Sequence, residues 1–208
     1  MICAWISVVV GTSFGSLAFR YDAKISESIR LNQLPGDVEK GVLLSEAFAH
    51  GAGVMVILLA LCLCGVSPGK IGQILIVTAG AGVTANTLKS VFTRVRPYAR
   101  EAMSIAQETT AFQDLGSGSF WDASLKSFPS GHSATAVAFA LGLSYVFPKA
   151  RWLFLALAIA ACYQRVYVGA HYPSDVLWGA AIAGAWGICC LRLKWFTNLG
   201  SGNVVTDT

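Results

Sequence analysis

The sequence predicts an all-α integral membrane protein, a bundle of six transmembrane helices with a further helical segment at the membrane interface. Composition is the first observation behind this prediction, because 55% of the 208 residues are hydrophobic and only 12% are charged. A soluble globular domain is about one quarter charged. The second observation is that the apolar residues form runs close to the roughly 20 residues that cross a bilayer.

Six apolar runs have nearly the length of a spanning helix. They cover about 2–19, 47–66, 71–92, 131–147, 152–168 and 176–195. The first run has neither a basic segment before it nor a small-residue cleavage site after it, so we expect a span rather than a signal peptide. Residues 20–45 mix charged with apolar side chains, which predicts an amphipathic segment on the membrane surface.

Charge and cysteine usage exclude other classes of protein. The net charge is +4 and the basic residues are scattered, so we expect no nucleic-acid partner. All six cysteines lie in apolar stretches, where a thiol behaves as a small hydrophobic group. We therefore expect no disulfide framework, and a single membrane-embedded domain over residues 1–208.

Six spans would place both termini and the two tight turns, at 67–69 and 148–149, on one face of the membrane. The ends of the third and fifth spans and the starts of the fourth and sixth would share the opposite face. Three clusters of polar residues lie at these positions. The topology therefore predicts that the clusters meet.

The first cluster is Lys89 followed after six residues by Arg96 and Pro97. Lys89 comes near the end of the third span, after an uncharged run. A basic residue at such a place often anchors a helix at the interface. It can equally bind an anion.

The second cluster is Pro129, Ser130, Gly131 and His132, at the start of the fourth span. A helix N-terminus offers free backbone N–H groups and partial positive charge, which suit an anion. Gly131 permits close approach of the backbone to a ligand. Ser130 could instead act only as a helix cap, and His132 could be a packed histidine.

The third cluster is Arg165, His171 and Asp175. Arg165 belongs to the end of the fifth span, where a charge is costly and usually has a function. The four-residue separation lets Asp175 orient the His171 imidazole, as in activated nucleophiles. Helix capping by Asp175 is the alternative. Together, the cations and the helix N-terminus provide what a phosphoryl group needs.

The three clusters resemble the signature of the type 2 phosphatidic acid phosphatase superfamily, Lys-x6-Arg-Pro, Pro-Ser-Gly-His and Ser-Arg-x5-His-x3-Asp. They match it in order and spacing between Lys89 and Asp175. One position differs, because Gln164 stands where the family usually has serine. The resemblance covers under half of the chain, and the six-span layout extends it.

The resemblance implies a mechanism without metal or cofactor. His171 would attack phosphorus and form a phosphohistidine, Asp175 would fix its tautomer, and His132 would protonate the leaving oxygen and then help to activate water. The substrate-binding residues implied by the same resemblance are Lys89, Arg96, Ser130, Gly131 and Arg165.

Four other polar residues lie outside the matched positions. Arg94 and Arg100 could attract an anionic headgroup or could be half-solvated surface charges. We interpret His50 as a packing or interfacial residue, with Glu46 one turn earlier as its expected partner.

The implied substrate is a phosphorylated membrane lipid. The family includes phosphatases for phosphatidic acid, phosphatidylglycerophosphate, polyprenyl pyrophosphates and lipid A phosphates, and the sequence does not choose among them. The alternatives are a lipid or ion transporter that uses the buried charges, and a site like that of vanadate-dependent haloperoxidases.

The face that carries the clusters has more Lys and Arg residues than the face of the tight turns, which by the positive-inside rule favours a cytoplasmic site. Bacterial relatives usually face outward, and we follow them in expecting an inner-membrane protein with an extracytoplasmic site.

Overall fold

The computed structural model describes residues 1–100 and 122–200. Over these two ranges the chain is helical, and extended pairing is limited to one isolated bridge between Arg94 and Lys126. The helices are α1 Ile2–Ala18, α2 Asp22–Leu31, α3 Gly36–Leu44, α4 Gly51–Leu63, α5 Pro68–Val91, α6 Pro97–Arg100, α7 Gly131–Val146, α8 Arg151–Tyr167, α9 Pro173–Arg192 and α10 Lys194–Leu199. Short 3-10 turns cover Ser45–Phe48, Ala123–Leu125 and Pro148–Ala150. The predicted all-α class is confirmed.

Each of the six predicted spans corresponds to a helix, but not all of these helices are long enough to cross a bilayer alone. Among the described residues, α5 and α9 are sufficiently long and apolar. Two further candidates are pairs of consecutive helices that would form one span with a sharp bend. One pair is α1 and α2, bent by 91°, and the other is α3 with its 3-10 turn (Gly36–Phe48) and α4, bent by 75°. This gives two to four spans by length and composition, and the number six stays a prediction.

The second predicted span begins later than expected. Residues 45–48 form a 3-10 turn, and the His50 side chain accepts a hydrogen bond from the Ala52 N–H, at 3.3 Å, which caps α4. The helix therefore starts at Gly51. The predicted interfacial segment, residues 20–45, is helical as α2 and α3; its position at a membrane surface stays a prediction.

Helix α7 lies at the centre of the bundle and packs against α5, α8 and α9. Many of its buried residues are alanines, and Ala134, Ala136, Ala138 and Ala140 are fully buried on different sides of the helix, as is Phe139. Small residues let helix backbones approach closely, which is the main source of helix association in lipid. This packing brings the N-terminal end of α7 beside the first turn of α9.

Helix α1 packs along α9 through glycines. A Cβ atom added at Gly184 would lie 2.5 Å from the Ala4 carbonyl oxygen, and one at Gly11 would lie 2.5 Å from that of Leu177. Such distances exclude a side chain at either position. The small residues that the sequence shows in these spans therefore have a packing role.

All six cysteines are free, but three of them, Cys62, Cys64 and Cys189, are exposed. The expectation of no disulfide framework agrees with these positions. Cys62 lies on α4 and Cys189 on α9, where exposed side chains face lipid if the helices span a membrane, and Cys64 follows the end of α4.

Candidate active site

Backbone hydrogen bonds join the three sequence clusters. The Arg94 N–H donates to the Leu125 carbonyl at 2.8 Å, and the Ser127 N–H donates to the Arg94 carbonyl at 3.0 Å. This pairing holds the segment after α5 beside the segment before α7. The Ser130 N–H in turn donates to the Asp175 carbonyl at 3.0 Å, which ties the start of α7 to the start of α9.

Ser130 caps α7 in the structure. Its Oγ accepts hydrogen bonds from the Ser133 N–H, at 3.2 Å, and the Ser133 hydroxyl, at 2.9 Å, and the side chain is fully buried. At the next residue, a Cβ atom added to Gly131 would lie 2.7 Å from Asn86 Oδ1. Capping and the absence of a side chain together leave the first turn of α7 suited to an anion.

A glycine turn places His171. Gly169 has a φ of +68°, the left-handed conformation that glycine adopts without strain. The turn ends α8 and returns the chain, so that the His171 N–H donates to the Arg165 carbonyl at 3.1 Å. His171 thus lies directly beneath the last turns of α8, next to Arg165.

His171 and Asp175 form a buried pair. The imidazole Nδ1 lies 3.7 Å from Asp175 Oδ2, and both side chains are almost completely excluded from solvent. Burial lowers the pKa of His171 to about 4, although the neighbouring Asp175 carboxylate favours the protonated form. The ring is therefore neutral at pH 7, which a nucleophile requires.

The Asp175 carboxylate is held in place by several donors. Its Oδ2 accepts hydrogen bonds from the Ser127 hydroxyl at 2.5 Å and from the Tyr172 N–H at 2.9 Å. Its Oδ1 accepts from the Arg94 guanidinium. The Tyr172 contact makes Asp175 part of a capping box of α9. Asp175 therefore caps α9 and also lies beside the His171 ring, so capping does not exclude the predicted orienting role, which stays a prediction.

Arg94 is not a surface charge. It is 1% exposed, its Nη2 lies 2.6 Å from Asp22 Oδ2, and its Nη1 donates to Ser174 and Asp175. The guanidinium also lies over the Tyr172 ring, at 4.2 Å from the centroid. Both sequence interpretations of Arg94, a headgroup attractor and a half-solvated charge, are wrong, because two buried carboxylates compensate its charge.

The remaining cations and the second histidine converge on the same end of the bundle. Lys89 interacts electrostatically with Arg96, Arg165 and Asp175, and His132 interacts with Arg165, His171 and Lys89. The structure therefore brings all the sequence-predicted site residues to one region. Among residues 1–100 and 122–200, no three His, Cys, Asp or Glu side chains form a group that could hold a metal ion. The grouped cations suit an anionic ligand.

Glu46 belongs to this region as well, which sequence reasoning missed. Its carboxylate lies 2.9 Å from Arg165 Nη2 and 3.9 Å from His132 Nε2, and it accepts a hydrogen bond from the Gln164 amide at 3.3 Å. The predicted side-chain pairing of Glu46 with His50 is wrong. The carboxylate turns towards α8, where a cation and a donor are available, while the His50 ring caps α4.

The chain matches a known protein family over the segment that carries these residues. Residues 70–199, more than half of the chain, match the model of the PAP2 superfamily. The chain belongs to the PAP2 superfamily. The resemblance seen in the sequence motifs is thereby confirmed, and the match extends beyond them to the helices that carry them.

Two curated relatives of this PAP2 protein illustrate the range of related enzymes. The lipid A 1-phosphatase of Rhizobium etli is 42% identical over 108 residues, which are 50% of this chain and 41% of the relative. The undecaprenyl-diphosphatase of Sulfolobus acidocaldarius is 39% identical over 61 residues, 29% of each chain. The chain thus spans less than half the length of the curated relatives it matches.

Two crystal structures share the fold of this PAP2 protein. Aquifex aeolicus LpxE superimposes with a TM-score of 0.63 at 22% identity, over 83% of this chain and 95% of that one. The PAP2 type phosphatidylglycerolphosphate phosphatase of Bacillus subtilis gives a TM-score of 0.59 at 17% identity, over 88% and 94%. At these identities the likeness shows the fold alone.

Proposed function

We propose that this PAP2 protein is a membrane lipid phosphatase that hydrolyses a phosphomonoester or pyrophosphate on a lipid headgroup. The observation that carries the proposal is the buried His171–Asp175 pair beside Lys89, Arg165 and the N-terminus of α7. The identity with lipid A 1-phosphatases makes the 1-phosphate of lipid A the first substrate to test.

Substrate binding uses the positive groups of the site. Lys89, Arg96 and Arg165 offset the charge of the phosphoryl oxygens, and the N–H groups at Gly131 and the following turn donate to them. Ser130 supports this site by fixing the first turn of α7. Lys89, Arg96 and Arg165 come from separate segments of the chain, so they can contact one phosphoryl group from different sides.

In the first step, His171 acts as the nucleophile. Its Nδ1 faces Asp175, so Nε2 attacks phosphorus. The new P–N bond forms as the P–O bond to the lipid breaks, and His132 donates a proton to the leaving oxygen. Asp175 stabilises the positive charge that develops on the imidazole of His171.

In the second step, water releases the phosphate. Neutral His132 accepts a proton from the water molecule as its oxygen attacks the phosphohistidine. The P–N bond breaks, inorganic phosphate leaves, and both histidines regain their starting protonation states. These steps use only side chains of the chain itself.

We further propose that the protein lies in the inner membrane with the site facing outward. The resemblance to bacterial members of the family supports this orientation. The short basic turn at Pro148–Ala150, at the opposite end of the bundle, is consistent with a cytoplasmic location.

Phosphate release from purified lipids tests the function. The protein in detergent, with EDTA present, is assayed against lipid A, phosphatidic acid, phosphatidylglycerophosphate and undecaprenyl pyrophosphate. We expect turnover of at least one lipid, inhibition by vanadate, and loss of turnover in His171→Ala. His50→Ala is the matched control, since His50 lies near His132 but outside the proposed machinery. Turnover that survives His171→Ala, or no release from any of the lipids, would contradict the proposal.

A further inference from the structure

Glu46 brings a negative charge to a site otherwise built from cations. It lies on the 3-10 turn Ser45–Phe48, between α3 and α4, and its side chain is 40% exposed. From there it reaches across to the end of α8 and forms an ion pair with Arg165. Arg165 itself is buried and is one of the cations proposed to bind phosphate.

Gln164 holds this ion pair together. Its amide oxygen accepts from Arg165 Nε at 2.5 Å, and its amide nitrogen donates to Glu46 Oε2 at 3.3 Å. The Gln164 side chain and its contact with Arg165 are buried, and its contact with Glu46 is partly buried. A serine, the usual residue in the matching motif, has one donor on a short side chain and could not bridge a guanidinium and a carboxylate in this way.

A carboxylate and a phosphate compete for the same donors. Both are anions that accept hydrogen bonds from a guanidinium, and two anions sharing one guanidinium repel each other. Since Glu46 is partly exposed, it can turn towards water when another anion takes its place. Arg165 can keep its position, because its Nε donates a hydrogen bond to the Gln164 amide oxygen.

We propose that Glu46 is a specificity-determining residue that competes with phosphate for Arg165. Its carboxylate holds Arg165 when no phosphate is bound, gives way to the phosphoryl group of the substrate, and returns as inorganic phosphate leaves. This inference rests on the proposed function of Arg165 in phosphate binding. It assigns Gln164 the role of positioning both partners.

The competition favours some anions over others. A dianionic phosphomonoester gains more from Lys89, Arg96 and Arg165 than a monoanionic phosphodiester does, because the Coulomb energy scales with charge. A ligand must displace Glu46 before it gains this energy. Weakly charged headgroups are therefore excluded, and product release is promoted.

Binding of inorganic phosphate tests the inference without requiring turnover. The protein is purified in detergent, and the phosphate concentration that gives half-maximal protection against thermal unfolding is measured for wild type, Glu46→Gln and Glu46→Ala. We expect this concentration to fall by about tenfold in both variants, since each removes a negative charge that repels phosphate at contact distance. Glutamine keeps the shape of the side chain and can still accept a hydrogen bond from Arg165.

Glu39→Gln is the matched control. It removes the same charge from the neighbouring helix α3, where Glu39 accepts a hydrogen bond from the Tyr167 hydroxyl at 3.0 Å. We expect its phosphate affinity to stay within about twofold of wild type.

Equal or weaker phosphate binding in Glu46→Gln and Glu46→Ala would overturn the inference, and lipid turnover by the same wild-type preparation would show that the proposed function survives. If neither wild type nor the variants are protected by phosphate, the phosphate site itself is wrong, and both proposals fail.

Discussion

Asp175 links the chemistry of the site to the architecture of the bundle. Its carboxylate faces the His171 ring, accepts hydrogen bonds from the Ser127 hydroxyl and the Tyr172 N–H, and forms an ion pair with Arg94. Every group around it is a donor or a cation. An amide at this position would direct an NH2 group at one of them, which leaves a donor facing a donor.

We therefore predict that Asp175→Asn lowers kcat by about two to four orders of magnitude, because the imidazole loses the group that sets its tautomer and stabilises its charge. KM should change little, since Asp175 does not contact the phosphoryl group. Steady-state kinetics on the best lipid substrate measures both constants. Ser127→Ala, which removes one hydrogen bond and keeps the charge, should reduce kcat by about tenfold at most. A kcat within tenfold of wild type in Asp175→Asn would contradict this role.

At the residue scale, motif spacing predicted the placement of every proposed catalytic and phosphate-binding side chain. It did not predict their partners Asp22, Arg94 and Glu46. These contacts join residues that are 72 to 152 positions apart, for example Arg94 with Asp22 and Ser174 with Asp22. Residue spacing along the chain reports neighbours on one helix, and pairing between distant helices depends on how the bundle packs.

At the scale of elements, the Asp22 side chain connects α2 to the start of α9 through hydrogen bonds. Its carboxylate is fully buried, pairs with Arg94 at 2.6 Å, and accepts from the Ser174 N–H at 3.0 Å and from the Ser174 hydroxyl. The segment after α1, predicted as a surface helix, thereby supports the buried face of the site. The 91° bend between α1 and α2 is what turns Asp22 towards it.

Asp22→Asn should destabilise the protein by about 1.5–3 kcal/mol, the usual effect of losing a buried hydrogen bond between charged groups. Thermal unfolding in detergent would show this as a lower Tm. Asp37→Asn is the control, because Asp37 forms an exposed ion pair with Lys40 at 3.2 Å, and such pairs contribute little. The element-scale account is wrong if the two variants have the same Tm.

Apolar runs predicted the positions of the long helices well, because the lipid-facing and core residues of a span are both apolar. The end of the first run at residue 19 agrees with the break between α1 and α2. The start of the second run at residue 47 does not agree with the start of α4 at Gly51, because residues 45–48 form a 3-10 turn and His50 caps the helix. A role in substrate specificity for the long segment before Pro129 stays a prediction from its position in the sequence, because the segment includes residues 101–121, which lie outside the described ranges.

At the scale of the whole molecule, the proposed orientation places the two ends of the bundle on opposite sides of the membrane. Asp37, whose side chain is 99% exposed on α3, lies towards the site end, and exposed Lys149 lies at the far end. In a variant without native cysteines, Asp37→Cys should react with a membrane-impermeant thiol reagent applied from outside, and Lys149→Cys should not. The reverse pattern would show that the site faces the cytoplasm.

The central claim is that His171 carries the phosphoryl group during turnover. The most direct measurement is quenching of the enzyme with alkaline SDS during turnover of a lipid radiolabelled at its phosphate, followed by peptide mapping of the protein-bound label at alkaline pH. We predict acid-labile, alkali-stable label on His171 in wild type and none in His171→Ala. Label that persists in His171→Ala, or rapid turnover with no label on the protein, would contradict the account.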